Sequence, residues 1–401
     1  MKKSIALLAL ASLFIGTTSC NKKDEPKLVA PVLPNTIDAS ADAATIKNAQ
    51  AVLAVPANSI VYISPKKGLH ILGATMDTSD STKFTVGPSG LLGINGSTSI
   101  LSIKSDEATE ITLAKTLSSL KRLILTTTKD SRRASASQTT IDLSGVSELE
   151  GLFVAGYTVD VLDLTKQKKL KYLALGGFNW SRYFPEMTTF LGYSKEKDTD
   201  ITEVKLPTNN VIEYIAGRSQ TLVDGKFDVD NLPKLKKVFW QSPYFKNFTF
   251  AKSQDLEILY TISPTKGIHL NADLGNKPKL QDITFRNTTL SKLAISNATA
   301  STLLDDSKDR ISAITIEFDN INPEQAISFI KRTAIKKEEN KPDLPVTKSI
   351  LLKNMTFTEA QILDLISGLG ATNGTLKVKS ELLTTAVNAA LTAKGWTGSP
   401  L

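Results

Sequence analysis

The sequence predicts a solenoid, mostly short β-strand coils, with α/β coils at the C-terminal end and a small N-terminal β cap. Three observations carry this. A Leu-x-x-Leu-x-Leu unit, clearest across Leu162–Leu175, recurs along the middle of the chain. Its copies begin at Ile141, Leu152, Leu162 and Leu173, steps of 11, 10 and 11, so a full coil takes 21, as from Leu152 to Leu173. After residue 310 the strands alternate with helix-start signals.

Composition removes several function classes. With 401 residues, 41% hydrophobic and 22% charged, the chain can build a long core under an ordinary surface. A repeat array grows by stacking, so its length does not count domains. The net charge of +8, which is 8 − 2 = +6 without Lys2 and Lys3, is spread over many lysines. No arginine-rich tract or basic–aromatic module accompanies it, so nucleic acid is not an expected partner. Cys20 is the only cysteine, which excludes an intrachain disulfide and a thiolate metal site. His70 and His269 lie far apart, each in an apolar stretch, as packed or edge residues of strands. No metal and no cofactor is expected.

Residues 1–19 read as a signal peptide. Met1-Lys2-Lys3 is basic, Ile5 to Ile15 is an apolar run too short to span a membrane, and Thr17-Thr18-Ser19-Cys20 closes it with small residues. This end resembles the lipobox of bacterial lipoproteins, with Thr17 where an aliphatic residue is usual. The resemblance implies that Cys20 is acylated and becomes the new N-terminus; two or more acyl chains anchor stably. Asn21-Lys22-Lys23-Asp24-Glu25-Pro26 is similar to the surface-export signal of Bacteroidota lipoproteins, and it also suits a charged tether. It implies an outer-membrane protein exposed at the cell surface. Residues 20–36, with Pro26, Pro31 and Pro34, form an extended spacer.

Residues 37–107 are expected to hold a helix and a β cap. Within the alanine-rich stretch Ile37 to Val55 a short helix is expected to end before Pro56, capped by Asp38 or Ser40, with Ile46, Ala49, Val52 and Leu53 on one face. Strands follow at Ile60–Ile63, Leu69–Leu72, Phe84–Val86, Leu91–Ile94 and Ile100–Ile103, separated by Lys67-Gly68, Gly87-Pro88 and Asn95-Gly96. A cap is a physical requirement, because an open solenoid end would expose its core.

Residues 108–310 carry the repeats. Strands begin at Ile111, Leu123, Ile141, Leu152, Leu162 and Leu173, then at Val238, Phe248, Leu259, Ile283 and Leu293. Side chains alternate across a strand, so each Leu-x-Leu pair points inward and the residue between faces solvent. A leucine three positions earlier (Leu120, Leu149, Leu170, Leu235, Leu256, Leu280) fills the core from the corner. This array resembles the leucine-rich-repeat surface lipoproteins of Bacteroidota, whose unit reads Leu-Asp-Leu-Ser-x-Asn-x-x-Leu-x-x-Leu. Leu162 to Leu173 matches it with Thr165 for Ser and Gln167 for Asn. The asparagine ladder of that family is mostly missing; only Asn287 and Asn297 are placed to hold a turn.

Residues 311–401 form strand–helix coils and a cap. A strand at Ile311–Phe318 precedes a helix started by Asn322-Pro323-Glu324-Gln325, and a charged loop covers Lys336 to Pro345. A strand at Ser349–Leu352 precedes a helix opened by a Thr356-x-x-Glu359 box, with Ile362, Leu363, Ile366 and Leu369 on one face. After Leu376–Val378, Ser380 caps a last helix. Its Lys394-Gly395-Trp396 ending is similar to the C-terminal cap of the same lipoproteins.

A ligand is sought where the period fails. From Leu173 to Val204 the step is 31, a coil plus ten, and the excess lies in Gly176 to Pro185 with Asn179, Trp180 and Tyr183, continuing to Phe190 and Tyr193. Insertions in solenoids are loops on one face, often the binding face. Trp and Tyr there suit a sugar or a protein hot spot, or else a loop folded onto its own hydrophobic cluster. Tyr244 marks a second aromatic group beside Trp240, which itself occupies an inward slot. Catalytic motifs are missing: no Gly-rich phosphate loop, no Gly-x-Ser-x-Gly elbow, no His–Glu metal pair. Asp142 and Asp163 lie between inward leucines, as solvated residues or turn caps. The expected protein is a monomeric, non-enzymatic binder of a protein or glycan. The alternatives are a polysaccharide-degrading solenoid and a structural subunit of an envelope assembly.

Overall fold

The computed structural model describes residues 34–115, 117, 119–127, 138–176, 184–191, 199–218, 222, 226–241, 247, 249–262, 268–286, 288–298, 312–332, 347–370 and 373–401. The unit from Pro34 to Leu401 is mostly β, and most of its strand pairs are parallel. Its N-terminal part holds β1 (Thr36–Asp38), α1 (Ala43–Lys47), β2 (Ala51–Ala54), β3 (Ile60–Ser64), β4 (Leu69–Leu72), β5 (Ala74–Met76), β6 (Lys83–Val86), β7 (Leu91–Gly96), β8 (Ile100–Ser105) and β9 (Glu110–Thr112). Next come β10 (Arg122–Thr126), β11 (Thr140–Asp142), β12 (Gly151–Ala155), β13 (Thr158–Asp163), β14 (Tyr172–Leu175), α2 (Pro185–Leu191), β15 (Asp200–Lys205) and β16 (Tyr214–Arg218). They are followed by β17 (Lys237–Gln241), β18 (Ile258–Ile262), β19 (Ile268–Asn276), β20 (Asp282–Arg286) and β21 (Thr288–Ser296). The C-terminal part holds β22 (Ser312–Asp319), α3 (Pro323–Arg332), β23 (Ser349–Lys353), α4 (Glu359–Gly368), β24 (Gly374–Val378), α5 (Thr385–Ala393) and β25 (Trp396–Pro400).

The short N-terminal helix ends earlier than expected. Asp42 caps it, accepting from the Thr45 amide at 2.7 Å, and it ends at Lys47. Val52 and Leu53 lie instead in β2, which pairs antiparallel with β7 on one side and β9 on the other. Two strands needing a partner outweigh the helix preference of an alanine-rich stretch. The chain is already paired at Pro34, which bridges to Lys67.

Two ladders organise the rest: one large sheet, and a second made of three separate sheets, β1-β4-β7-β2-β9-β11, β13-β15 and β19-β21-β22-β23-β24-β25. The 11-stranded sheet runs β20-β18-β17-β16-β14-β12-β10-β8 in parallel and is then extended antiparallel by β3, β6 and β5, which cover the edge of β8. From β12 on, the chain leaves this sheet for β13, returns to β14, leaves for β15 and returns to β16. The 10–11 step is therefore the passage between ladders, and 21 is the return to the same one. Leu152 pairs in register with Leu173, and Val238 with Leu259.

This alternation corrects the size of the main insertion. Leu173 and Val204 are not successive members of one ladder. Leu173 pairs with Ile215 and Leu162 with Val204, a step of 42 in each case, so the excess over one coil is 42 − 21 = 21 and not ten. The sequence hides β16 because its second inward slot is Gly217. A Cβ there would lie 2.1 Å from the ring of Trp240 on the adjacent β17. Trp240 is 3% exposed and fills the space that a leucine pair would share.

The inward positions hold throughout: Leu101, Leu123, Leu152, Leu173 and Leu259 are all fully buried, as are the corner leucines. The residues between them do not all face solvent, as the alternation predicted. Phe153, Ala174, Ala216, Phe239 and Tyr260 are buried in a second cluster on the outer side of the large sheet.

The turns after the second ladder carry more amides than the sequence suggested. Asn276 donates to Gln254, Asn297 to Asn276 and Asn320 to Asn297, each at 2.8 Å. Asn297 and Asn320 adopt positive φ, as asparagine tolerates. Asn287 lies outside the described residues. Beside this row, Gln167 and Ser253 bind the carbonyls of Leu143 (2.8 Å) and Leu232 (2.9 Å) one coil back.

After β21 the large sheet ends, and α3, α4 and α5 alternate with β22 to β25 of the second ladder. Asn322 opens α3, its side chain accepting from the Glu324 amide at 2.9 Å. The box of α4 is Thr358 with Gln361, not Thr356 with Glu359, because Met355 and Phe357 are still in the core. Thr384, not Ser380, caps α5; residues 380–382 make a 3₁₀ turn first. Trp396 starts an unforeseen strand, β25, and its indole donates to Gly370 O at 3.0 Å.

Gly217→Ala is expected to lose about 1–3 kcal/mol in urea unfolding, the cost of overpacking, because the methyl strikes a buried indole. Adding Trp240→Leu should recover much of that loss; a neutral single variant would contradict this packing.

Candidate functional site

On its outer side, the middle of the large sheet carries aromatic residues where solvated ones were expected, and α2 lies across them. Phe184, just before the helix, meets Phe239 of β17 edge-on at 6.2 Å. Phe190, near its end, stacks on Tyr172 of β14 at 4.5 Å. Gly151 of β12 makes the close approach possible, since a Cβ there would lie 2.6 Å from the Phe190 ring. The helix therefore crosses the strands from β17 back to β10, with Met187 and Leu191 buried beneath it.

Each end of α2 is held by charge of the sign its dipole favours. Glu186 in the first turn accepts from Lys237 Nζ at 2.7 Å. Arg122 donates to Phe190 O in the last turn at 3.0 Å, and its guanidinium lies over the Phe190 ring at 4.9 Å. The ring row continues from Tyr172 to Tyr214, nearly parallel at 5.0 Å, and ends with Lys237 Nζ 5.9 Å from the Tyr214 centroid. Phe190 thus takes the place in this row that Gly151 leaves without a side chain.

Burial penalises the charge on Glu186 most, but the hydrogen bond from Lys237, a backbone hydrogen bond and the charges of Lys237 and Lys236 together outweigh it and hold the carboxyl below its ordinary range. Burial raises the Tyr172 phenol, helped by Glu213 and Glu186, and raises Tyr214, helped by Glu186. Along the rim Glu150 pairs with Lys121 at 2.8 Å and Glu213 with Lys236 at 2.7 Å. Phe190, Tyr172 and Tyr214 have both faces taken by neighbours in the row. These three rings have no free face to offer a sugar; the row mounts α2 on the sheet.

Asn179, Trp180, Tyr183, Tyr244 and Cys20 lie outside the described residues. Phe184 follows directly on the first insertion, so that stretch leads into the mounted helix. Trp240 is in the core. Asp163 holds the turn after β13, accepting from the Thr165 amide (2.9 Å) and hydroxyl (2.6 Å), which keep its carboxyl below the ordinary aspartate range. Asp142 accepts from the Ser144 amide at 2.8 Å in the same way. His70 shares a hydrogen bond with Thr36 at 2.8 Å; the His269 side chain is outside the described set. Among the described residues no group of three or more His, Cys, Asp or Glu gathers as a metal site. None of the described helices is long and apolar enough to cross a membrane.

The sequence reading missed Phe153, Tyr172, Tyr214, Phe239 and Tyr260, and had Phe190 only as the far end of the aromatic insertion. The signal was present: a large apolar residue between two inward ones, as in Leu152-Phe153-Val154, requires a cover. The chain matches no family model and no curated protein.

Gly151→Ala is expected to push Phe190 and Leu191 off the sheet. Amide-exchange protection across 185–191 should fall while that of β10 and β14 holds; unchanged protection would contradict the docking. Glu186 is held below its unfolded pKa, so its contribution is present above the ordinary glutamate range and lost as pH falls through the folded value. Protection of α2, corrected for intrinsic exchange, should therefore drop in acid, and Glu186→Gln should remove that pH dependence.

Proposed function

We propose that this chain is a surface-anchored lipoprotein whose leucine-rich-repeat solenoid binds a protein or glycan partner on the outer face of its large sheet. The observation that carries this reading is the mounting of α2. Helix α2, which falls within the longest break in the period, is held on that outer face by a buried aromatic cluster, an ion pair at one end and a hydrogen bond from Arg122 at the other. A strap that merely closed a gap would need none of these. The solenoid reading is supported by the repeated return of the chain to the large parallel sheet, after 21 residues from Leu152 to Leu173 and from Val238 to Leu259. The anchoring reading rests on the lone cysteine after a small-residue leader end.

Binding would fall to the residues that lead into α2. Because the described stacked rings have their faces against each other or against Arg122 and Lys237, a sugar would have to stack on Trp180 or Tyr183, whereas a protein could also use the charged rim. Trp180→Ala with Tyr183→Ala should weaken a partner found by glycan array or pull-down by at least about 2 kcal/mol, the scale of a hot spot. Unchanged affinity would remove this site. Globomycin, which blocks lipoprotein signal cleavage, should leave the precursor unprocessed; normal processing would overturn acylation of Cys20.

A further inference from the structure

We propose that one water molecule is bound inside the fold between the side chains of Gln167 and Asn210. Both residues are buried, at 1% and 3% exposure. Gln167 Nε2 donates back one coil to Leu143 O at 2.8 Å. Asn210 Nδ2 donates forward to Asn231 O at 2.6 Å, and to Pro207 O at 3.4 Å. The two amide oxygens, Gln167 Oε1 and Asn210 Oδ1, are closed off from solvent, and no donor among the described residues reaches either.

An amide is planar, so its oxygen turns away from the group its nitrogen serves. Gln167 thus directs its oxygen toward the following stretch, and Asn210 directs its own toward the preceding one. Those two stretches are neighbours. Asp163 pairs with Lys205 and Tyr172 with Tyr214, and residues 164–171 and 206–213 span the gap with equal lengths of chain. Two buried acceptors thus turn toward the seam between these neighbouring stretches, and neither has a donor among the described residues.

The same turn position further along shows what such a space takes. Gln167 is the third residue after the inward Leu164, and Lys277 is the third after the inward Leu274. Lys277 is 1% exposed, and its ammonium donates to Leu274 O and to Asn276 O at 3.2 Å. There the chain supplies a donor with several protons. Between Gln167 and Asn210 a water fills that role, giving one proton to each oxygen; buried waters sit where polar groups lack other partners. Two neutral amide oxygens suit water better than a divalent cation, whose sites draw on carboxylates.

The test is a crystal structure of the chain at a resolution that orders solvent. A water within hydrogen-bond distance of both oxygens is the expected result. A dry contact, a reversed amide that finds a protein donor, or a metal ion at that point would overturn the proposal. Gln167→Lys supplies a second arm. Its new ammonium should occupy the water's position and bond Asn210 Oδ1, as Lys277 bonds its carbonyls. An ammonium directed elsewhere over a gap that stays dry would likewise overturn it.

Discussion

One repeated hydrogen bond sets the register on which everything else depends. The residue just before each parallel strand of the large sheet, from β10 to β18, gives its carbonyl to two successive amides at the start of the next strand. Lys121 O accepts from Glu150 and Gly151, Glu150 O from Lys171 and Tyr172, Lys171 O from Glu213 and Tyr214. Glu213 O, Lys236 O and Glu257 O continue the series. This contact ignores side-chain identity, so it survives coils of different length. It also brings Lys121, Glu150, Lys171, Glu213, Lys236 and Glu257 into one row of alternating charge. Exposed ion pairs are worth little singly, but this order also avoids like charges on neighbouring strands.

With that register fixed, each coil solves the same filling problem with different residues. Two leucines and a corner leucine suffice in most. Where Gly217 leaves a hole, the neighbouring Trp240 enters it. Where a turn carbonyl of the coil before needs a donor, Gln167 or Ser253 supplies it. Past β21 the passage through the large sheet is replaced by helices, and the second ladder alone carries the chain to β25. The scaffold tolerates such variety because its backbone contacts do not change.

The sequence made the inward residues legible, because strand alternation prints them at every second position and the corner leucine three before. It could not separate the two ladders, since both use the same apolar-x-apolar pattern. That confusion produced the wrong count for the insertion before β16. Short elements were misread where tertiary pairing decides, as at Val52 and Leu53 in β2 or Trp396 in β25. The outer-face site was half legible. The aromatic insertion stood out by breaking the period, but its dock depends on Gly151 and Arg122, which look ordinary until β10, β12 and α2 are brought together.

The central claim is that Lys171 and Glu213 lie on neighbouring strands although they are far apart in sequence. Disulfide formation tests this directly, with Cys20 replaced by Ser. Adjacent strands stand about 4.8 Å apart, within the Cα range a disulfide spans. Lys171→Cys with Glu213→Cys should close under mild oxidation, and Lys171→Cys with Thr202→Cys should not. Closure of the second pair and not the first would contradict the register and restore Val204 as the neighbour of Leu173.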